Sequence, residues 1–83
     1  MKRGAFTERR RSPRTSMMRG GSFVSKGMSQ NCVVLNLSPL GTRIRLLKEG
    51  EAPQTVMLHL PNGAVRAARR CWQQQADVGF EFI

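Results

Sequence analysis

Three stretches of this chain alternate apolar and polar residues with a period of two. Over residues 42–47, Thr42, Ile44 and Leu46 fall on one side and Arg43 and Arg45 on the other. Over residues 55–60, Val56, Leu58 and Leu60 oppose Met57 and His59, and near the end Val78, Phe80 and Phe82 oppose Asp77 and Glu81. A period of two puts each set on one face of a pleated strand, whereas one helix face needs a period of 3.6. Pro61-Asn62-Gly63, directly after the second stretch, is the strongest hairpin signal in the chain.

The remaining segments extend the β reading. Residues 17–25 form a first strand, interrupted at Gly20-Gly21, with Phe23 and Val24 as its apolar part. Gly27 and Ser29 mark a turn, and residues 31–37 are apolar along most of their length, as a central strand is. Residues 64–72 are the return strand of the hairpin, with a bulge expected around Ala67-Ala68. Gln73-Gln74-Gln75 reads as a short polar turn before a last strand over 76–83. Six short strands avoid bare edges best by closing on themselves. The expected fold is therefore all-β, a six-stranded antiparallel β-barrel over residues 17–83. Val34, Ile44, Leu46, Leu58, Val78, Phe80 and Phe82 contribute to its core. At 83 residues the chain makes one small domain, which buries roughly 60–65% of its unfolded surface.

Charge is distributed unevenly. The formal net charge is +9, and Lys2, Arg3, Arg9, Arg10, Arg11 and Arg14 crowd residues 1–16. That segment has almost no apolar residues, so it is expected to be a flexible basic tail. By itself such a tail reads as a solvated arm or a generic nucleic-acid arm. The overall basicity implies an anionic partner: nucleic acid, a nucleotide, an acidic protein or a membrane surface. No apolar run approaches the roughly 20 residues of a membrane-spanning helix. The basic N-terminus is not followed by the apolar core of a signal peptide. A cytoplasmic protein without membrane insertion is the expectation.

Catalytic chemistry finds little to work with. His59 is the sole histidine, and the carboxylates Glu8, Glu49, Glu51, Asp77 and Glu81 are scattered, so neither a nucleophile–base pair nor an acid–base pair can be drawn. Cys32 and Cys71 have no metal-ligand spacing, which argues against zinc, and are expected to be reduced, core-type thiols. Trp72 can stack on a base, but the apolar strand around it favours packing in the core or at a barrel end. The chain reads as a binding module without cofactor or metal, and not as an enzyme.

The feature that stands out is the turn at residues 36–41, Asn-Leu-Ser-Pro-Leu-Gly. On an extended backbone Asn36 and Ser38 leave the same face. Gly41 either takes a positive φ or admits a close backbone approach. Upstream lies Arg9-Arg10-Arg11-Ser12-Pro13-Arg14, and arginine forks aimed at a small polar turn suit a multivalent anion.

Arg10-xxx-Arg14, followed by Asn36-x-Ser38-xx-Gly41, resembles the PilZ domain family, whose signature is RxxxR and then (Asp or Asn)-x-Ser-x-x-Gly. Cys71-Trp72, a short turn and Val78-Gly79-Phe80-Glu81-Phe82 resemble its closing strands, so the likeness runs from Glu8 to Ile83. Asn36 stands where Asp is commoner and Thr42 where a second glycine is frequent. No C-terminal helix follows the last strand, which leaves one barrel end open or covered by a partner. The resemblance implies a barrel that binds the bacterial second messenger cyclic di-GMP. Its role would be that of a signalling effector, through an unidentified downstream protein, in processes such as motility or exopolysaccharide production. It implies Arg10 and Arg14 as ligand-gripping residues, with Arg9 and Arg11 as additional phosphate contacts, and Asn36, Ser38 and Gly41 as the barrel side of the site. Ligand would then order the tail against the turn. The competing readings are a small barrel for single-stranded nucleic acid, disfavoured by its few exposed aromatics, among which Phe6 stands out, and a ligand-independent protein adaptor.

Overall fold

The structure is a computed structural model that describes residues 15–83. Arg9, Arg10, Arg11 and Arg14, and with them the expectation of a flexible tail, lie outside the described residues. Six strands follow one another: β1 (Thr15–Ser25), β2 (Met28–Leu37), β3 (Gly41–Leu46), β4 (Thr55–His59), β5 (Val65–Gln74) and β6 (Asp77–Phe82). They form one closed antiparallel barrel in the order β1-β2-β3-β6-β5-β4. Closure comes from β1 and β4, where Phe23 pairs with Leu58 and Val24 with Met57. No helix of the described residues is long and apolar enough to cross a membrane.

The alternation in β3, β4 and β6 becomes the inside and outside of the barrel. Val34, Ile44, Leu46, Leu58, Val78 and Phe80 are buried, joined by Phe23, Cys32, Val56, Leu60, Ala52 and Ala68. Phe82 is only partly buried. It sits at the end of the barrel, where the Arg66 guanidinium lies 4.3 Å from its ring centroid. Fully burying a Leu, Ile or Phe side chain stabilises by roughly 1.5–3 kcal/mol. This one shared interior is therefore what holds the short strands together.

The turns follow their local chemistry. Lys26 and Gly27 both have positive φ, 52° and 77°, the two-residue turn whose twist matches an antiparallel pair. This moves the first turn from Gly27–Ser29 to Lys26–Gly27. At the Pro61 hairpin the Gly63 amide donates to the Leu60 carbonyl, and the Leu60 amide donates to the Ala64 carbonyl, each at 2.9 Å. The last turn is Gln75–Ala76, because β5 continues through Gln74, which pairs with Asp77.

Other details correct the sequence reading. Residues 15 and 16 belong to β1 and not to the tail. Gly20 and Gly21 do not interrupt β1; they pair with Val33 and Cys32 in a ladder that is continuous from Arg19 to Ser25, and the irregularity of this pair lies earlier, between Ser16 and Arg19. Ala67 and Ala68 pair regularly with Met57 and Val56, and the β5 bulge lies instead between Arg70 and Trp72. Gln73 is no turn residue. Its side-chain oxygen accepts from the Ala52 amide at 2.8 Å, and its nitrogen donates to the Gly50 carbonyl at 2.9 Å. The Arg70 guanidinium donates to the Ala52 carbonyl at 2.6 Å. Together they fasten the irregular β3–β4 connection over the barrel wall and let Ala52 reach the core.

Candidate functional site

Two bulges set which side chains face outward around the turn. In β2 the pairing passes from Val34–Ile44 to Asn36–Arg43, so Leu35 is extra. A strand that continued the Cys32–Val34 alternation would point Asn36 inward. The additional residue turns it to the outer face, beside Arg43. Leu37 then faces in, opposite the buried Thr42. The Thr42 hydroxyl donates to the Asn36 carbonyl at 2.6 Å, which fastens the β2–β3 pair next to the bulge.

In β5 the pairing passes from Arg70–Phe80 to Trp72–Gly79, and Cys71 is the extra residue. This reverses the face of Trp72. The expected packing inside the barrel or at its end is not found. The indole points outward and is 43% exposed. A Cβ on Gly79 would run into its Nε1 and Cε2, so only glycine leaves room for the ring to lie on β6. Cys71 is exposed and Cys32 buried, and both are free. The reading of both as core thiols therefore holds for Cys32 alone. Burial pushes the Cys32 thiol up to about 11.

One row of paired residues now crosses five strands. Ser16 pairs with Asn36, Asn36 with Arg43, Arg43 with Gly79 and Gly79 with Trp72. Directly opposed residues share a face, so all five look outward. Asn36, Arg43, Gly79 and Trp72 of this row line a pocket of about 280 Å³, whose walls also include Ser38, Gly41 and Glu81. The three turn residues singled out by sequence thus meet in one place, together with Arg43, Trp72 and Glu81, which sequence reasoning did not assign to a site.

Each turn residue has a distinct job. The Ser38 amide donates to the Gly41 carbonyl at 2.9 Å. Its hydroxyl oxygen accepts from the Leu40 and Gly41 amides at 3.2 and 3.3 Å. Ser38 therefore shapes the turn, the local side-chain–backbone bonding that suits serine to such positions. Gly41 is not among the positive-φ glycines, which are Gly27, Gly50 and Gly63. Of the two roles open to it, close approach is the one observed: a Cβ there would collide with the Phe80 carbonyl oxygen and lie 3.2 Å from Glu81 Cα. Among the described residues no hydrogen bond engages the Asn36 side-chain amide, which leaves its donors and acceptor facing the pocket.

The electrostatics are set by three strands. Asp77 on β6 accepts from Arg45 Nε at 2.8 Å and from an Arg43 terminal nitrogen at 2.9 Å. These bonds, Arg45's first and Arg43's next, hold the Asp77 carboxyl below the usual carboxylate range. The Arg43 guanidinium also lies 5.9 Å from the Trp72 ring centroid, within cation–π range. Glu81, on the far side of Gly79, is bound by Arg69 at 2.7 Å. The result is an aromatic face, an amide, a turn and a guanidinium around one shallow recess.

A larger recess of about 550 Å³ occupies the barrel end, walled by Leu37, Leu60, Ala64, Phe82 and Ser38 among others. Ser38 thus stands on the rim between the two. Thr15, where the described chain begins, pairs with Leu37, the residue before Ser38. Among the described residues no cluster of His, Cys, Asp and Glu could hold a metal ion. No protein-family model matches the chain, and no curated protein is significantly similar to it.

Proposed function

We propose that this chain is a receptor module for cyclic di-GMP, of the PilZ type, which acts in the cytoplasm without catalysis by changing the surface it offers to a downstream protein. One observation carries the reading. Asn36, Ser38 and Gly41, the residues of the turn motif, line one outer-face pocket, and the described chain begins at Thr15, which pairs with Leu37, the residue before Ser38. In the sequence the RxxxR motif ends at Arg14, directly before Thr15.

The chemistry suits the ligand. Cyclic di-GMP carries two phosphodiester charges and two guanines. Guanine presents O6 and N7 acceptors that an arginine fork matches bidentately. The Asn36 amide can bond a base edge, and the Trp72 face can stack on a base. The pocket of about 280 Å³ lies just below the range of small-molecule sites, which run from roughly 300 to 1,000 Å³. It fits part of a dinucleotide, and the arginines of residues 9–14 supply the other half of the grip. Ordering those residues on binding costs entropy and creates a composite surface of tail and barrel.

Exposed Trp72 on a basic barrel also favours a second reading, single-stranded nucleic acid, in which aromatic platforms stack on successive bases. Calorimetric titration separates the two. The wild-type chain is expected to bind cyclic di-GMP saturably and a mixed-sequence oligonucleotide weakly. Arg10→Ala and Arg14→Ala should each weaken the dinucleotide about 10- to 150-fold, the effect of losing one charge-assisted hydrogen bond. An oligonucleotide preferred over cyclic di-GMP, or unchanged affinity in the double variant, would overturn the reading.

A further inference from the structure

Arg43 is not part of either motif, yet it occupies the middle of the outward row, between Asn36 and Gly79. Its present partner does not depend on it. Arg45 spans both oxygens of Asp77, Nε to Oδ1 at 2.8 Å and a terminal nitrogen to Oδ2 at 3.4 Å. Arg43 touches only Oδ2, at 2.9 Å. If Arg43 leaves, Asp77 stays paired and no buried charge is stranded. Both Arg43 and Arg45 are largely exposed, with side chains 44% and 48% accessible.

Resting on the cyclic di-GMP reading, we infer that Arg43 is a latch: Asp77 holds it while the pocket is empty, and ligand draws it off to grip a phosphodiester oxygen. The exchange is favourable in magnitude. An exposed ion pair is worth at most about fivefold in an equilibrium constant, whereas a charge-assisted hydrogen bond to a phosphate contributes roughly 10- to 150-fold. The path is short as well. Arg43 already lies within 5.9 Å of the Trp72 ring centroid and forms one wall of the pocket, so the move is a rotation of one surface side chain. Asp77 then sets the resting affinity through competition, and Arg45 keeps Asp77 paired once Arg43 has left.

A double-mutant cycle in calorimetric titrations with cyclic di-GMP tests this on the full chain. Arg43→Ala should weaken binding about tenfold or more. Lys48→Ala, which removes the same charge from an exposed loop outside the pocket, should leave it within twofold. Asp77→Asn frees Arg43 and should tighten binding by about two- to fivefold. In the Arg43→Ala background the same Asp77→Asn change should do nothing. A purely structural role for the Arg43–Asp77 pair predicts instead that both single substitutions weaken binding. Thermal melts confirm that the variants are folded. Arg43→Ala within twofold of wild type, or an Asp77→Asn gain that persists without Arg43, overturns the latch and leaves the receptor reading intact. No binding by the wild-type chain overturns the receptor reading, and the latch with it.

Discussion

Gly41→Ala offers the sharpest test of how the turn is seated in the barrel. Gly41 pairs with Glu81, and a Cβ at position 41 would collide with the Phe80 carbonyl oxygen and press on the Phe80 carbonyl carbon and Glu81 Cα at 3.2 Å each. All three atoms are backbone of β6. They cannot step aside without parting β3 from β6, which would open the barrel next to Phe80 and Val78. Overpacking of this kind costs roughly 1–3 kcal/mol, and the blocking atoms here put it in the upper part of that range. Loss of glycine's freedom in the unfolded chain returns about 0.4–1 kcal/mol. The net is a destabilisation of about 2 kcal/mol, or a fall in Tm of roughly 8–16 °C for a domain of this size. Gly20→Ala is the matched control. Gly20 is also a strand glycine, but nothing lies within 4 Å of its missing Cβ and its φ is not positive. That variant should melt at or slightly above the wild-type temperature. Thermal denaturation followed by circular dichroism reads both. If Gly41→Ala melts within about 2 °C of Gly20→Ala, the close approach of β3 to β6 is wrong.

Three further outcomes follow from the same geometry. Gly79→Ala should push the Trp72 indole off β6 into water, with a red-shifted fluorescence maximum and a smaller stability loss than Gly41→Ala, because a side chain can rotate where backbone cannot; an unchanged spectrum would refute the contact. Ser38→Ala leaves the Leu40 and Gly41 amides without their side-chain acceptor and should cost roughly 0.5–1.5 kcal/mol in a denaturant melt; an unaltered midpoint would show that the hydroxyl does not shape the turn. Under native conditions near pH 8 one thiol, Cys71, should react quickly with an alkylating reagent, while Cys32 reacts only on unfolding. Burial raises the Cys32 thiol from 9.0 to about 11, so the folded chain keeps a proton that the unfolded chain gives up. Its contribution to stability is complete below pH 9 and is lost as pH rises toward 11; two fast-reacting thiols would contradict its burial.

How legible this architecture is in the sequence depends on the residue. The alternation around Ile44, Leu58 and Val78 reports directly on burial, because one face of each strand meets the core and the other meets water. It carries over to the barrel almost unchanged. The bulges at Leu35 and Cys71 are different. Which residue is extra depends on the partner strand, not on the local sequence. Continuing the alternation past Ala68 and Arg70 therefore turns Trp72 inward, when the pairing with Gly79 turns it out. The same blindness hides Arg43, which reads as an ordinary outward residue of a half-buried strand until Asn36 and Trp72 are rotated into its row. Gln73 looks like turn filler because its partners, Ala52 and Gly50, are more than twenty residues away in the chain. The turn motif was readable for the opposite reason: Ser38 bonds to Leu40 and Gly41, its own near neighbours.

The proposal that cyclic di-GMP binds at the Asn36–Gly41 turn and the outward row beside it has a direct test: amide chemical-shift mapping of the full chain with added cyclic di-GMP. Saturable shifts are expected at Asn36, Ser38, Gly41, Arg43 and Gly79 and at the Trp72 indole N–H, with Arg10 and Arg14 responding at the same ligand concentration. No shifts at saturating ligand, or shifts confined to the barrel-end recess around Leu60 and Ala64, would contradict it.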